Sequence, residues 1–172
     1  YCKEMKVSFF LASLFLSVKS ANNIKEFRYR IDGNKVFDYG KIHPFSTILN
    51  DDNTFSFCEF NYTDSFTEFV EKGTEAMIKA AANRNLNTKE YRKDVVHYTT
   101  IPWITLTGMT HARSFNTGDS IPKFVFGKYF SENNVVKIPF CIEVHHSLVD
   151  GYHIGNKWYQ MFFKRGNLNK YL

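Results

Sequence analysis

The chain has 172 residues and a mass of 20.2 kDa; 44% of its residues are hydrophobic and 17% are aromatic, with 18 Phe and 10 Tyr. This composition excludes a disordered chain, and the length suits one domain, residues 1–172, with a substantial core. The net charge is +5, but Lys and Arg are spread along the chain without a basic run, which does not favour a nucleic-acid-binding protein.

The three cysteines are Cys2, Cys58 and Cys141. They form no CxxC pair, and their odd number leaves at least one thiol unpaired. This usage is typical of a reducing compartment, so we expect a cytoplasmic protein with free thiols.

The first apolar segment, residues 5–21, has a lysine at position 6, then mostly apolar residues, and ends in small residues. It resembles a secretory signal and is too short to span a bilayer as a helix. The alternative is a helix buried on most sides, which is apolar all round for the same reason. We favour a buried helix over residues 7–18, because the chain starts before Met5 and free cysteines argue against export. A secreted protein remains the alternative.

Short strands follow this segment. Residues 27–31 and 36–39 flank Asp32-Gly33-Asn34, which predicts a hairpin. The alternating and aromatic patterns of residues 45–49 and 55–62 predict two more strands.

The middle of the chain contains one amphipathic helix. Ser65 and Glu68 form a capping box, and apolar residues then recur at helical spacing until residues 83–85. We expect a loop over residues 85–94, strands at 95–100 and 103–107 interrupted by Pro102, and a polar loop at 114–120.

The last strand and helix flank a pair of histidines. Apolar and polar residues alternate from 136 to 144, which predicts a strand with one buried face. Continuing that count puts His146 on the apolar side and His145 on the other. Beyond Gly151 a closing helix is predicted from residues at helical spacing: Ile154, Trp158, Met161 and Phe162.

His146 at the end of a strand could move a proton near neutral pH. A pair of ordinary half-buried histidines is the simpler interpretation. A metal site built from His146, Asp150 and His153 is disfavoured, because the break between strand and helix separates these side chains. We therefore expect no metal. A nucleophilic Cys141 is a minor possibility.

The motif His145-His146-x-x-x-Asp150-Gly151 closely resembles that of the type A chloramphenicol acetyltransferases. A looser form occurs in dihydrolipoyl acyltransferase cores and in peptide-synthetase condensation domains. Residues 99–105 are similar to the family's Ser-Ala-x-Pro-Trp segment and residues 121–129 to its Lys-Tyr strand, without a gap between 99 and 153. Residues 43–49 and 53–56 match two further stretches.

The resemblance implies an α+β fold, with a mixed central sheet and packed helices, in a homotrimer whose active site lies between subunits. It implies transfer of acetyl from acetyl-CoA to a hydroxyl of chloramphenicol or another small acceptor, and hence antibiotic resistance. It implies no nucleic-acid or membrane partner. The family has an earlier segment with an arginine that pairs with the motif aspartate, so we expect this chain to lack its N-terminal segment.

The resemblance also assigns roles to residues. His146 is the general base, Thr99 replaces the serine that stabilises the oxyanion, and Asp150 with Gly151 supports the site. The acceptor-binding positions are Phe55, Phe57, His111 and Lys123.

Several of these positions depart from the family. Phe57 replaces a small residue, His111 and Lys123 replace apolar side chains, and Val125 replaces a threonine that orients a water. We therefore expect an altered acceptor. The alternatives are a diverged, inactive member that acts in assembly or binding, and a lipoyl or carrier-protein acyltransferase.

Overall fold

The computed structural model describes residues 2–84, 92–111 and 119–160. Its helices are α1 (Phe9–Asn22), α2 (Lys25–Arg28), α3 (Phe66–Asn83) and a π-helical segment, α4 (His153–Trp158). Its strands are β1 (Tyr29–Asp32), β2 (Lys35–Asp38), β3 (His43–Leu49), β4 (Phe55–Glu59), β5 (Val95–Thr100), β6 (Lys123–Phe126), β7 (Phe130–Glu132), β8 (Val135–Lys137) and β9 (Phe140–Glu143).

A five-stranded mixed sheet organises the molecule, with strand order β4-β3-β5-β6-β9. The three inner strands are parallel, and the edge strands β4 and β9 run antiparallel to their neighbours. The sheet with its packed helices confirms the predicted α+β fold.

Helix α1 lies in the core, as the apolar pattern of residues 7–18 predicted. Leu14, Phe15 and Val18 are fully buried. The hydroxyls of Ser13 and Ser20 bond to backbone carbonyls within the helix, which satisfies their polar groups. In the described ranges, no helix combines the length and apolarity needed to cross a membrane.

Helix α3 packs beside α1, and the predicted cap is present. The Ser65 hydroxyl accepts a hydrogen bond from the Glu68 backbone N–H at 3.4 Å. At Gly73, an added Cβ would lie 2.9 Å from Leu11 Cδ2 of α1. The glycine therefore allows the close approach of the two helices.

The hairpin of β1 and β2 is confirmed. Asp32 pairs with Lys35 across the turn, and Gly33 has a φ of +57°, a left-handed conformation that favours glycine. The predicted strand over 27–31 is partly wrong, because Phe27 and Arg28 belong to α2. Burial of Phe27 against Phe124, with ring centroids 5.8 Å apart, outweighs the local strand preference.

Three other predicted strands differ from those in the structure. Residues 103–107 form no strand, and the predicted strand over 136–144 is divided at Pro139 into β8 and β9. Proline lacks the N–H that a continuous ladder requires. The predicted strand over 55–62 ends at Glu59. Of the predicted loops 85–94 and 114–120, residues 85–91 and 114–118 lie outside the described residues.

Candidate active site

The sheet has one face covered by helices and one face that carries polar side chains. Tyr98 and Phe124 point to the helical side, where they join the core. The alternate residues His97, Thr99 and Lys123 point to the other side. The strand register places one row across the five strands on this second face: Glu59, Phe45, His97, Lys123 and Glu143.

Thr99, His111 and Glu143 form a connected group on this second face. Thr99 Oγ1 lies 3.3 Å from His111 Nε2, and His111 Nδ1 lies 3.0 Å from Glu143 Oε2. The same carboxylate oxygen accepts the backbone N–H of His111 at 3.1 Å. Glu143 thereby holds both the backbone and the ring of His111.

The proton positions in this group follow from chemistry. A carboxylate only accepts hydrogen bonds, so His111 Nδ1 carries the hydrogen that faces Glu143. In the neutral imidazole, Nε2 is then the acceptor. Thr99 therefore donates its hydroxyl hydrogen to His111 when the ring is neutral.

The predicted acceptor residues occupy different environments. Phe55 and Phe57 meet edge to face, with ring centroids 5.9 Å apart, and the Phe57 ring also contacts that of Phe45, with centroids 5.3 Å apart. Lys123 is buried, and its amine donates to Asp119 at 2.8 Å. The charge of Lys123 is thus already balanced within the chain.

His97 lies between Phe45 on β3 and Lys123 on β6. Its ring centroid is 5.3 Å from that of Phe45. Burial lowers the pKa of His97 from 6.5 to about 4, because desolvation penalises the imidazolium. His97 is therefore neutral near pH 7 and contributes no charge to this face.

The histidine motif lies in a turn beyond β9. His146 is exposed, and its ring makes no hydrogen bond among the described residues, whereas His145 is partly buried. The backbone N–H groups of Leu148 and Val149 close the turn on the His145 carbonyl. The prediction that His146 lies on the apolar side is wrong, because β9 ends at Glu143 and the alternation does not continue through the turn.

Asp150 caps the turn that follows the histidines. Its Oδ1 accepts the backbone N–H groups of Tyr152 at 2.9 Å and His153 at 3.2 Å. The hydrogen bond from the His153 backbone is the main cause that lowers the pKa of the Asp150 carboxyl. His153 continues the contact to α2, with Nε2 3.4 Å from Glu26 Oε1. Gly151 is exposed, and an added Cβ would meet nothing within 4 Å.

A cavity of about 410 Å³ opens beside the carboxyl ends of the inner strands. Its lining is mostly apolar and includes Met77 and Phe126, with the exposed Trp103 and Tyr129 at the rim. The Thr100 hydroxyl is buried there and has no hydrogen-bond partner within the described ranges. Thr100 follows Thr99 but points to the opposite face of the sheet.

Within a single chain, Thr99 and His146 lie on separate parts of the structure. Thr99 pairs with Val125, which pairs with Cys141, so two strand spacings separate the backbones of β5 and β9 by about 10 Å. His146 lies five residues beyond Cys141. A substrate that touches both side chains would need a different arrangement from the one within a single chain.

Sequence reasoning missed Glu143 and the aromatic rim residues. Alternation along β9 places Glu143 on the second face, but no local pattern links it to His111, 32 residues earlier. Of the candidate metal residues, Asp150 and His153 are in contact, with 2.8 Å between Oδ1 and Nδ1, but across the residues that the structure describes no three His, Cys, Asp or Glu side chains are grouped to hold a metal ion.

The chain is similar to several known proteins. The family model described as chloramphenicol acetyltransferase matches residues 1–161. A chloramphenicol acetyltransferase of Clostridium butyricum is 31% identical over 155 residues, which are 88% of this chain and 70% of that protein. One of Bacillus pumilus is 27% identical over 155 residues, which are 89% of this chain and 70% of that protein.

Solved structures show the same relationship. A chloramphenicol acetyltransferase superposes with a TM-score of 0.81 at 25% identity, covering 99% of this chain and 80% of that chain. A dihydrolipoamide acetyltransferase of Azotobacter vinelandii superposes with a TM-score of 0.66 at 12% identity, covering 95% of this chain and 73% of that chain. The second likeness shows a shared fold alone.

Proposed function

The chain belongs to the chloramphenicol acetyltransferase family, and from that premise we propose that it transfers acetyl from acetyl-CoA to a hydroxyl of chloramphenicol or a related small acceptor, with His146 as general base. It is an acetyl-CoA-dependent acetyltransferase. The type A subclass and a role in antibiotic resistance are parts of the same proposal.

The environment of His146 carries the proposal. Its ring is exposed at the end of a strand, on a turn that Asp150 holds through two backbone hydrogen bonds. A general base needs a ring nitrogen that is available to a substrate hydroxyl. Because no described residue occupies the His146 nitrogens, the ring can accept that proton.

We infer that the complete site forms between subunits of a homotrimer. Thr99 and His146 lie apart within one chain, yet acyl transfer requires the base and the oxyanion donor at one reacting carbon. Apolar side chains remain exposed on the two hairpins, including Val36, Phe37 and Val136. Such surfaces are typical of subunit interfaces.

We propose that the cavity on the helical side holds the arm of the acyl donor, because it opens at the carboxyl end of β5, where Thr100 and Thr99 are consecutive residues. Its mostly apolar walls can contact the methyl and methylene groups of a pantetheine arm, and the rings of Trp103 and Tyr129 can stack on a base. The exposed amine of Lys128 lies at the same rim and can pair with phosphate. Trp103→Ala should raise the KM for acetyl-CoA about 10-fold, roughly 1.4 kcal/mol, with a smaller change in kcat.

We also propose that the preferred acceptor of this chain is not chloramphenicol. His111 presents a polar ring beside Thr99, and Phe57 adds bulk next to Phe45. A polar alcohol can form hydrogen bonds with the Thr99, His111 and Glu143 group, so we expect weaker use of chloramphenicol than of a more polar alcohol.

The test measures the release of free CoA during acetyl transfer and compares the wild type with His146→Ala. Loss of the base should lower turnover by about 10² to 10⁴. Thr99→Ala should cost less, on the order of 10², and Thr99→Ser should be near neutral. Asn156→Ala, an exposed change in α4, is the control. An unchanged rate in folded His146→Ala would end the proposal.

A panel of acceptors separates this function from the alternatives. Chloramphenicol, polar alcohols, dihydrolipoamide and a carrier protein are offered with acetyl-CoA. Transfer to dihydrolipoamide alone would favour a lipoyl acyltransferase, and no transfer to any acceptor would favour an assembly protein. A cytoplasmic location belongs to the proposal, because the three thiols are unpaired.

A further inference from the structure

The group on the second face contains a hydroxyl, an imidazole and a carboxylate in sequence. Thr99 Oγ1 is 3.3 Å from His111 Nε2, and His111 Nδ1 is 3.0 Å from Glu143 Oε2. This is the order and spacing in which a base activates a hydroxyl nucleophile and a carboxylate orients the base. The arrangement does not involve His146.

Two of the three side chains come from strands of the central sheet. Thr99 lies in β5, and Glu143 lies in β9 of the same sheet. Glu143 Oε2 also accepts the His111 backbone N–H at 3.1 Å, which fixes both the ring and its main chain. The side chains of His111 and Glu143 are 20% and 21% exposed, so a small substrate can reach them.

The Thr99 hydroxyl has one hydrogen, and the neutral His111 ring accepts it. In that state Thr99 cannot donate the same hydrogen to an oxyanion. Its oxygen is instead polarised toward attack on a carbonyl carbon. With no acceptor alcohol bound, the Thr99 oxygen is therefore placed as a nucleophile. The oxyanion role proposed above for Thr99 requires that its hydrogen turn away from His111 when an acceptor alcohol is bound.

We propose that Thr99, His111 and Glu143 form a second catalytic unit that takes an acyl group from a thioester or activated ester onto Thr99 and passes it to water. The inference goes beyond the acetyl transfer proposed for His146. It gives the chain an acyl hydrolase activity that needs no acceptor alcohol.

The steps balance without any further reactant. The Thr99 oxygen attacks the acyl carbon while its proton moves to His111 Nε2. The carbon–sulfur or carbon–oxygen bond to the leaving group breaks, and the leaving group takes that proton from His111. Water then attacks the Thr99 ester and gives a proton to His111, which returns it to the Thr99 oxygen as the carboxylic acid leaves.

The experiment uses the full chain with His146→Ala and no acceptor, so that transfer does not interfere. p-Nitrophenyl acetate and acetyl-CoA are the probes. We expect a burst of nitrophenol stoichiometric with enzyme, acid-stable acetylation of Thr99 in the peptide mass spectrum, and slow steady hydrolysis.

Variants of the three residues separate their roles. Thr99→Val should remove the label on residue 99 and lower hydrolysis by about 10² to 10⁴, and His111→Gln should cause a similar loss. Glu143→Gln should slow hydrolysis by about 10-fold or more, because the ring loses its orienting partner. Thr99→Ser should still acylate. Thr107→Val and Glu59→Gln, exposed changes elsewhere, are matched controls.

Folding of each variant is checked by circular dichroism. Hydrolysis that is unchanged in folded Thr99→Val, or acetyl found only on lysine or cysteine, would overturn the proposal. The two proposals share Thr99, but their tests are distinguishable: hydrolysis is measured without an acceptor in chains that lack His146, whereas transfer is measured with an acceptor in chains that retain it.

Discussion

Tyr98 and Ser17 form a buried hydrogen bond between β5 and α1, with 2.9 Å between Oη and Oγ. Ser17 gives its own hydrogen to the Leu14 carbonyl at 3.0 Å, so Tyr98 is the donor of the pair. The indole N–H of Trp158 donates to the Ser17 carbonyl at 3.2 Å. The first helix is thus tied both to the strand of Thr99 and to α4, which follows the histidine motif.

This relationship predicts unequal effects of two substitutions. Tyr98→Phe leaves the Ser17 hydroxyl bonded to Leu14 and should lower the free energy of unfolding by about 1 kcal/mol. Ser17→Ala leaves the Tyr98 hydroxyl buried without an acceptor and should cost about 1–3 kcal/mol. Urea unfolding of both single variants and the double variant measures the coupling; additive costs would contradict the pairing.

Burial of α1 predicts a strong effect of charge in its core. Leu14 is 0% exposed, and Leu14→Asp should unfold the protein because an unpaired buried charge costs several kcal/mol, roughly. Ile78 of α3 is 65% exposed, so Ile78→Asp should have little effect. Circular dichroism and thermal melting compare the two. A stable, folded Leu14→Asp protein would show that α1 does not pack as described.

The neutral state of His97 predicts a loss of stability in acid. The unfolded chain binds a proton near pH 6.5, but the folded chain resists protonation of His97 until about pH 4. The free energy of unfolding should therefore fall between about pH 6.5 and 4, by on the order of 2 kcal/mol from this group.

The measurement compares wild type with His97→Gln in urea at several pH values and constant protein concentration. The variant should show the shallower pH dependence. Burial also lowers the pKa of His43, so some dependence of the same sign should remain. Identical slopes in the two proteins would contradict the assignment to His97.

The proposal that the site is shared between subunits predicts complementation between inactive chains. Light scattering should give about three times 20.2 kDa. His146→Ala and Thr99→Val chains are each impaired, but subunit exchange would combine an intact His146 with an intact Thr99 at some interfaces. Random mixing should restore roughly a quarter of the wild-type activity. Mixtures that stay inactive despite demonstrated exchange, or a fully active monomer, would rule out the shared site.

The amino-acid sequence determined those features that depend on neighbouring residues. Ser65 with Glu68 predicted the start of α3, and Asp32-Gly33 predicted the hairpin, because a cap and a tight turn are built within a few residues. The apolar run of residues 7–18 predicted a buried helix. The motif around His146 led to the family and hence to the fold.

Strand limits were predicted less well where distant contacts decide. Phe27 joins α2 because its ring packs on Phe124, and residues 103–107 lack a strand although their pattern favours one. His146 is exposed because β9 ends at Glu143, which depends on its pairing with Lys123. Periodicity does not report where a partner strand ends.

Only the tertiary structure brought Thr99, His111 and Glu143 together. Each comes from a separate segment, and their separation along the chain hides the hydroxyl–imidazole–carboxylate order from any local pattern. Their contacts arise because β5, β6 and β9 pair side by side, so residues far apart in sequence share one face of the sheet. Local preferences act over a few residues, whereas a site of this kind depends on burial and strand pairing across the whole fold.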